Sequence, residues 1–152
     1  MTTDTFRRLT SRALVALALT GVLAACDNPV DEDPHPDAVA VVVQTSAGVE
    51  LARATGGGTQ GTATGSIPLT IGATRDLRVI FVDAAGNPVP VGGDTSLRGN
   101  VLIGALARFE KTSETGGRLT GLSAGTTSVS FDLMHGSHAD FQGAAIPLIV
   151  TP

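Results

Sequence analysis

The chain has 152 residues, 42% of them hydrophobic and 16% charged, with 19 Gly, five Phe and neither Tyr nor Trp. That length holds one ordinary domain, and the apolar content excludes disorder along the whole chain. The single Cys excludes a disulfide framework and a multi-cysteine metal site, and the net charge of −4 excludes a basic nucleic-acid footprint.

The segment from Met1 to Ala25 differs from the rest. Arg7, Arg8 and Arg12 form a positive head, followed by an apolar run from Ala13 to Ala25 broken only by Thr20 and Gly21. The run is shorter than the ~20 residues a membrane-spanning helix needs. A positive head, a short apolar stretch and small residues at its end describe a secretory signal. It closes on Leu23-Ala24-Ala25-Cys26, which resembles the lipobox of bacterial lipoproteins. An ordinary signal followed by a chance Cys is the alternative, but this Cys is the only one and stands at the required place. The resemblance implies cleavage between Ala25 and Cys26 and a covalent lipid on the Cys26 sulfur. It also implies a place in the bacterial cell envelope, anchored to the cytoplasmic or outer membrane and facing periplasm or exterior. Each buried methylene contributes about 0.8 kcal/mol, so two or more acyl chains make a stable membrane partner. The mature chain would then begin at Cys26. Loss of the three Arg and of Asp4 leaves it seven basic and thirteen acidic side chains, a net charge of −6. Asp27 directly after the Cys resembles the inner-membrane retention signal of enterobacterial lipoproteins.

Residues 26–37 form the next segment. Five acids and three prolines fall between Asp27 and Asp37, with no periodic apolar face. This suits a solvated tether, reaching at most about 40 Å when fully extended.

From Ala38 to Pro152 the pattern is strand-like. Ala38–Gln44 is a β-branched run, Thr45–Gly48 has turn chemistry, and Val49–Arg53 reads as a returning strand. Ala54–Gly65 reads as a Gly/Thr-rich loop or weak edge hairpin. Ser66–Ile71 is a short strand whose Pro68 suggests an edge. Arg75–Asp83 is the strongest strand, with Leu77, Val79 and Phe81 on one face and Arg78, Ile80 and Val82 on the other. Its two apolar faces predict cover on both sides, at least in part. A turn at Asp83–Pro88 follows, then a brief strand at Val89–Val91. Leu97–Ile103 and Ala105–Lys111 are strands around Gly104. Gly116-Gly117 reads as a turn, and Arg118–Leu122 as a strand. Thr126–Met134 alternates, with Val129, Phe131 and Leu133 inward and Ser128, Ser130 and Asp132 outward. After the tip at His135–His138, Ala144–Thr151 closes the chain. No segment makes a convincing long amphipathic helix; Leu97–Lys111 comes nearest, but Gly and β-branched residues weaken it. Seven to nine short strands with frequent turns predict an all-β, immunoglobulin-like β-sandwich over 38–152.

Two segments sharpen that expectation. Val79-Ile80-Phe81-Val82-Asp83-Ala84-Ala85-Gly86-Asn87-Pro88-Val89 resembles the central strand and turn of bacterial Ig-like (Big) domains. Arg118-Leu119-Thr120-Gly121-Leu122-Ser123-Ala124-Gly125-Thr126-Thr127-Ser128-Val129 resembles their later Gly-turn and strand. Together they cover about a fifth of the mature chain. The resemblance implies a non-catalytic binding or structural module. The sequence departs from antibody-type domains in lacking Trp, a Tyr corner and a cysteine pair.

Enzyme chemistry finds little footing. The one Gly-x-Ser-x-Gly run, Gly121-Leu122-Ser123-Ala124-Gly125, falls between two predicted strands without the strand-to-helix turn of a nucleophile elbow, and there is no His-Glu-x-x-His. The one Cys would be acylated, and Gly56-Gly57-Gly58 lacks the context of a phosphate cradle. One cluster stands out: Met134-His135-Gly136-Ser137-His138-Ala139-Asp140-Phe141. His135, His138 and Asp140 suit Zn²⁺ or Cu²⁺, Met134 would suit Cu⁺, and His35 would join only if the fold brought it near. The plainer reading is a polar loop, with Asp140 in an Asx-type turn and Phe141 closing the sandwich end. The ending from His135 to Val150 also resembles small secreted β-domains with His-rich tips. Expected partners are a membrane through the lipid and an envelope protein. A chain without Tyr or Trp has little surface for stacking carbohydrate.

Overall fold

In the computed structural model, residues 37–152 are described. Ala25, Cys26 and His35 lie outside them. The described residues form twelve strands and one short 3₁₀ turn at Gly58–Gln60. In chain order the strands are β1 (Ala40–Thr45), β2 (Glu50–Thr55), β3 (Ala63–Gly65), β4 (Ile67–Thr70), β5 (Thr74–Val82) and β6 (Pro88–Val89). They continue with β7 (Thr95–Val101), β8 (Ala107–Lys111), β9 (Gly116–Gly121), β10 (Gly125–His135), β11 (His138–Gln142) and β12 (Ile146–Thr151).

One sheet runs β3-β2-β1-β5-β9-β8, with β6 against the end of β5. The other runs β11-β10-β12-β4, with β7 also paired to β10. The protein is thus an all-β sandwich. The neighbours β1-β5-β9-β8 in one layer and β7-β10-β12-β4 in the other follow the immunoglobulin-like plan. The last strand, β12, lies parallel to β4, while the other pairings between named strands are antiparallel.

The core follows from alternation. Val41, Val43, Val79 and Phe81 from one sheet meet Val129, Phe131, Ile146 and Leu148 from the other, all fully buried. The domain's four Phe form two edge-to-face pairs, Phe81–Phe141 and Phe109–Phe131, with ring centroids 5.5 and 5.4 Å apart. The outward side of β5 is also apolar: Ala40, Val42 and Val82 are buried there beside Ile80. This matches the expectation of a strand covered in part on both faces.

Eight strands make up the immunoglobulin-like frame. β2, β3, β6 and β11 extend its margins and raise the total to twelve. β2 and β6 answer to the expected strands Val49–Arg53 and Val89–Val91; β3 has three residues, too few to show alternation in a sequence, and β11 stands where a polar loop was the plainer reading. The end of β2, the 3₁₀ turn and β3 fill the stretch 54–65 as an edge hairpin, the second of the two readings its sequence allowed. Pro68 does lie on an edge strand, β4.

Gly116-Gly117 is not a turn but the start of β9; the chain reverses just before it, where Thr112 and Ser113 N–H donate to the Gly116 carbonyl. Gly117 serves packing instead. A Cβ there, or at Gly99 on β7, would run into the Phe109 ring from β8. The two glycines therefore hold the slot in which Phe109 reaches Phe131.

Candidate functional site

β10 and β11 form a hairpin through the two-residue turn Gly136-Ser137, which places His135 directly opposite His138. Gly136 has φ +56, a left-handed conformation that favours Gly in such turns. The ladder shifts by one between Leu133↔Phe141 and Met134↔Ala139, so Asp140 is the extra residue of a β-bulge. A bulge re-aims side chains. Here Phe141 enters the core against Phe81 while Asp140 reaches back to the turn.

The Asp140 carboxylate spans both imidazoles. Oδ1 lies 3.0 Å from His138 Nε2, and Oδ2 lies 3.5 Å from His135 Nδ1. The two rings are tilted with centroids 5.2 Å apart. One donor atom from each of the three residues falls within 4.8 Å of the others. The side chains remain accessible, His138 most of all at 69%. Asp140 thus contacts both imidazoles and is not simply part of an Asx-type turn, while Phe141 is buried as expected. Met134 pairs with Ala139, and strand alternation turns it to the other face from His135. The structure therefore unites His135, His138 and Asp140 without Met134.

A second polar feature escapes sequence reading. Asp132, expected outward among serines, does face away from the core but is only 7% exposed. Arg98 on β7 covers it, donating from Nε and Nη2 to Oδ2 at 3.1 and 2.8 Å. The pair lines an open groove of about 260 Å³ with Thr59, Ser130 and Gln142. Arg98 and Asp132 are cross-strand partners in register, but they stand far apart in sequence, and only the β7–β10 pairing reveals them.

The two ends of the sandwich differ. At the start of β10, Leu102, Ile103 and Leu122 are exposed, Leu102 at 73%. At the other end lies the His hairpin. The first described residues approach that same end, where Val39 bonds Val82 and Gly56, and Gly56 bridges Gly143 just after β11. Among the described residues, no helix is long and apolar enough to cross a membrane.

No protein-family model and no curated protein matches this chain. Among solved structures, domains 4 and 5 of the S-layer protein SbsC are similar, with a TM-score of 0.43 and 13% identity. The match covers 74% of this chain and 54% of that one, so this chain spans about half its length.

Proposed function

We propose that this protein is a lipid-anchored component of a bacterial cell envelope, and that its sandwich is a non-catalytic binding or structural module. The observation that carries the reading is Leu23-Ala24-Ala25-Cys26 at the end of an Arg-headed apolar run, the pattern a lipoprotein signal requires. The acidic, Pro-rich stretch to Asp37 acts as the spacer between Cys26 and the sandwich.

The surface of the module supports contact with protein over carbohydrate. Each of the four Phe of the sandwich is engaged with another ring, and there is no Tyr or Trp. The exposed apolar side chains are aliphatic, as at Leu102, Ile103 and Leu122. The resemblance to Big domains fits such a role. Its two segments fall on the end of β5 through β6 and on β9 through the start of β10.

The test is metabolic labelling with a fatty-acid probe in a bacterial host, followed by membrane fractionation. The wild-type chain is expected to carry the probe and sediment with membranes, and Cys26→Ala to lose both properties. Labelling that persists in Cys26→Ala would contradict the anchor.

A further inference from the structure

We infer that His135, His138 and Asp140 form a binding site for one borderline divalent transition ion, Zn²⁺ or Cu²⁺, at the tip of the β10–β11 hairpin. The inference stands on the hairpin geometry alone and is independent of the anchor.

Three features of the backbone converge on it. The register sets the two imidazoles opposite each other on neighbouring strands. The Gly136-Ser137 turn keeps them within one hairpin closure of each other. The bulge at Asp140 carries the carboxylate to both rings, and Phe141, packed on Phe81, pins the bulge from the core side. The backbone positions from which the three side chains extend are thus set by main-chain pairing and a buried ring.

The distances suit a small ion. Tetrahedral Zn²⁺ with arms of about 2.0–2.1 Å places neighbouring donor atoms roughly 3.3 Å apart. The two carboxylate–imidazole separations, 3.0 and 3.5 Å, lie on either side of that spacing. Small side-chain rotations bring the three donors, already within 4.8 Å of one another, around one centre.

The donor chemistry selects the ion class. Two imidazole nitrogens and one carboxylate suit Zn²⁺ and Cu²⁺, with Cu²⁺ the tighter by the usual order of divalent affinities. Ca²⁺ requires six to eight oxygen ligands and Mg²⁺ an octahedral oxygen shell, which one carboxylate between two imidazoles does not provide. Three protein ligands leave at least one coordination position toward solvent. Such a site exchanges its ion or accepts a further ligand, unlike a closed four-ligand structural site.

The test is calorimetric titration of the full chain, purified and stripped of metal by chelation, with Zn²⁺, Cu²⁺ and Ca²⁺ separately. Saturable binding of one ion per chain is expected for Zn²⁺ and Cu²⁺, tighter than ~10 μM, with no binding of Ca²⁺. A rise in Tm with either transition ion should accompany it. The His135→Ala/His138→Ala double variant and Asp140→Asn should each weaken binding at least tenfold while keeping the wild-type circular dichroism spectrum. Absence of saturable binding, or wild-type affinity in the double variant or in Asp140→Asn, would overturn the assignment.

Discussion

Asp83 shows how one side chain closes a turn in this fold. Its Oδ1 accepts the N–H groups of Ala85 and Asn87 at 2.9 and 2.8 Å, and Oδ2 accepts the Asn87 side-chain amide at 3.2 Å. The Asn87 backbone bond, then its side-chain bond, hold the Asp83 carboxyl below its ordinary value. A carboxyl lowered by folding contributes stability above its unfolded value, about 3.9, and loses it as pH falls through the lower folded value. Thermal melts should therefore show Asp83→Ala less stable than wild type at neutral pH. The gap should begin to narrow below about pH 4 and close as pH falls through the lowered folded value; a pH-independent gap would contradict this role for the carboxylate. Asp132 is a carboxylate largely withdrawn from water and covered by Arg98. Arg98→Met leaves it unpaired and should cost about 1.5–3 kcal/mol in urea unfolding. Adding Asp132→Leu should recover most of that loss, because the stranded charge is gone. The Asp83 turn was legible from Asp-Ala-Ala-Gly-Asn-Pro, since all its bonds are local. The Arg98–Asp132 pair was not, since a contact between distant segments depends on a pairing that neither encodes alone.

At the scale of strands, alternation reveals what faces the core and conceals what makes room for it. The inward sets on β5 and β10 were legible because Val79, Phe81, Val129 and Phe131 recur at every second residue and are fully buried. Gly99 and Gly117 were not, because a glycine that admits a neighbour's ring looks in sequence like one that turns the chain. Gly117→Ala pushes a methyl into Phe109 and should destabilise by about 1–3 kcal/mol through overpacking. Gly48→Ala, at a positive-φ turn position with open space, would act through backbone strain alone, without overpacking. A double-mutant cycle with Phe109→Leu separates the two effects: the smaller side chain should relieve Gly117→Ala but not Gly48→Ala. Equal penalties for Gly117→Ala with and without Phe109 would contradict the packing role. The candidate site divides in the same way. The residue types at His135, His138 and Asp140 were visible in the sequence. The bulge that turns Asp140 toward both rings while Phe141 points inward depends on the β10–β11 register. That register also removes Met134 from the cluster.

For the whole molecule, the proposal joins an anchor read from sequence to a sandwich described by structure. The sandwich is long-range in its connections: β1 pairs with β5, β4 with β12, and β7 with β10, so it closes only when distant segments meet. The fold class was legible from strand count and turn spacing, and β2 and β6 were legible as the short strands Val49–Arg53 and Val89–Val91; β11 was not, because its residues read as a polar loop and only pairing with β10 makes them a strand. In the proposed reading the −6 charge, the lipid on Cys26 and the spacer would all follow from a mature chain that begins at Cys26, so the proposed envelope role depends on that start point. Intact-mass and N-terminal peptide mass spectrometry of the protein recovered from bacterial membranes reads this start point without an intermediary. The expected product is a polypeptide whose first residue is Cys26, carrying a diacylglyceryl mass on that residue. A chain that keeps residues 1–25, starts elsewhere, or bears an unmodified Cys26 thiol would refute the lipid anchor.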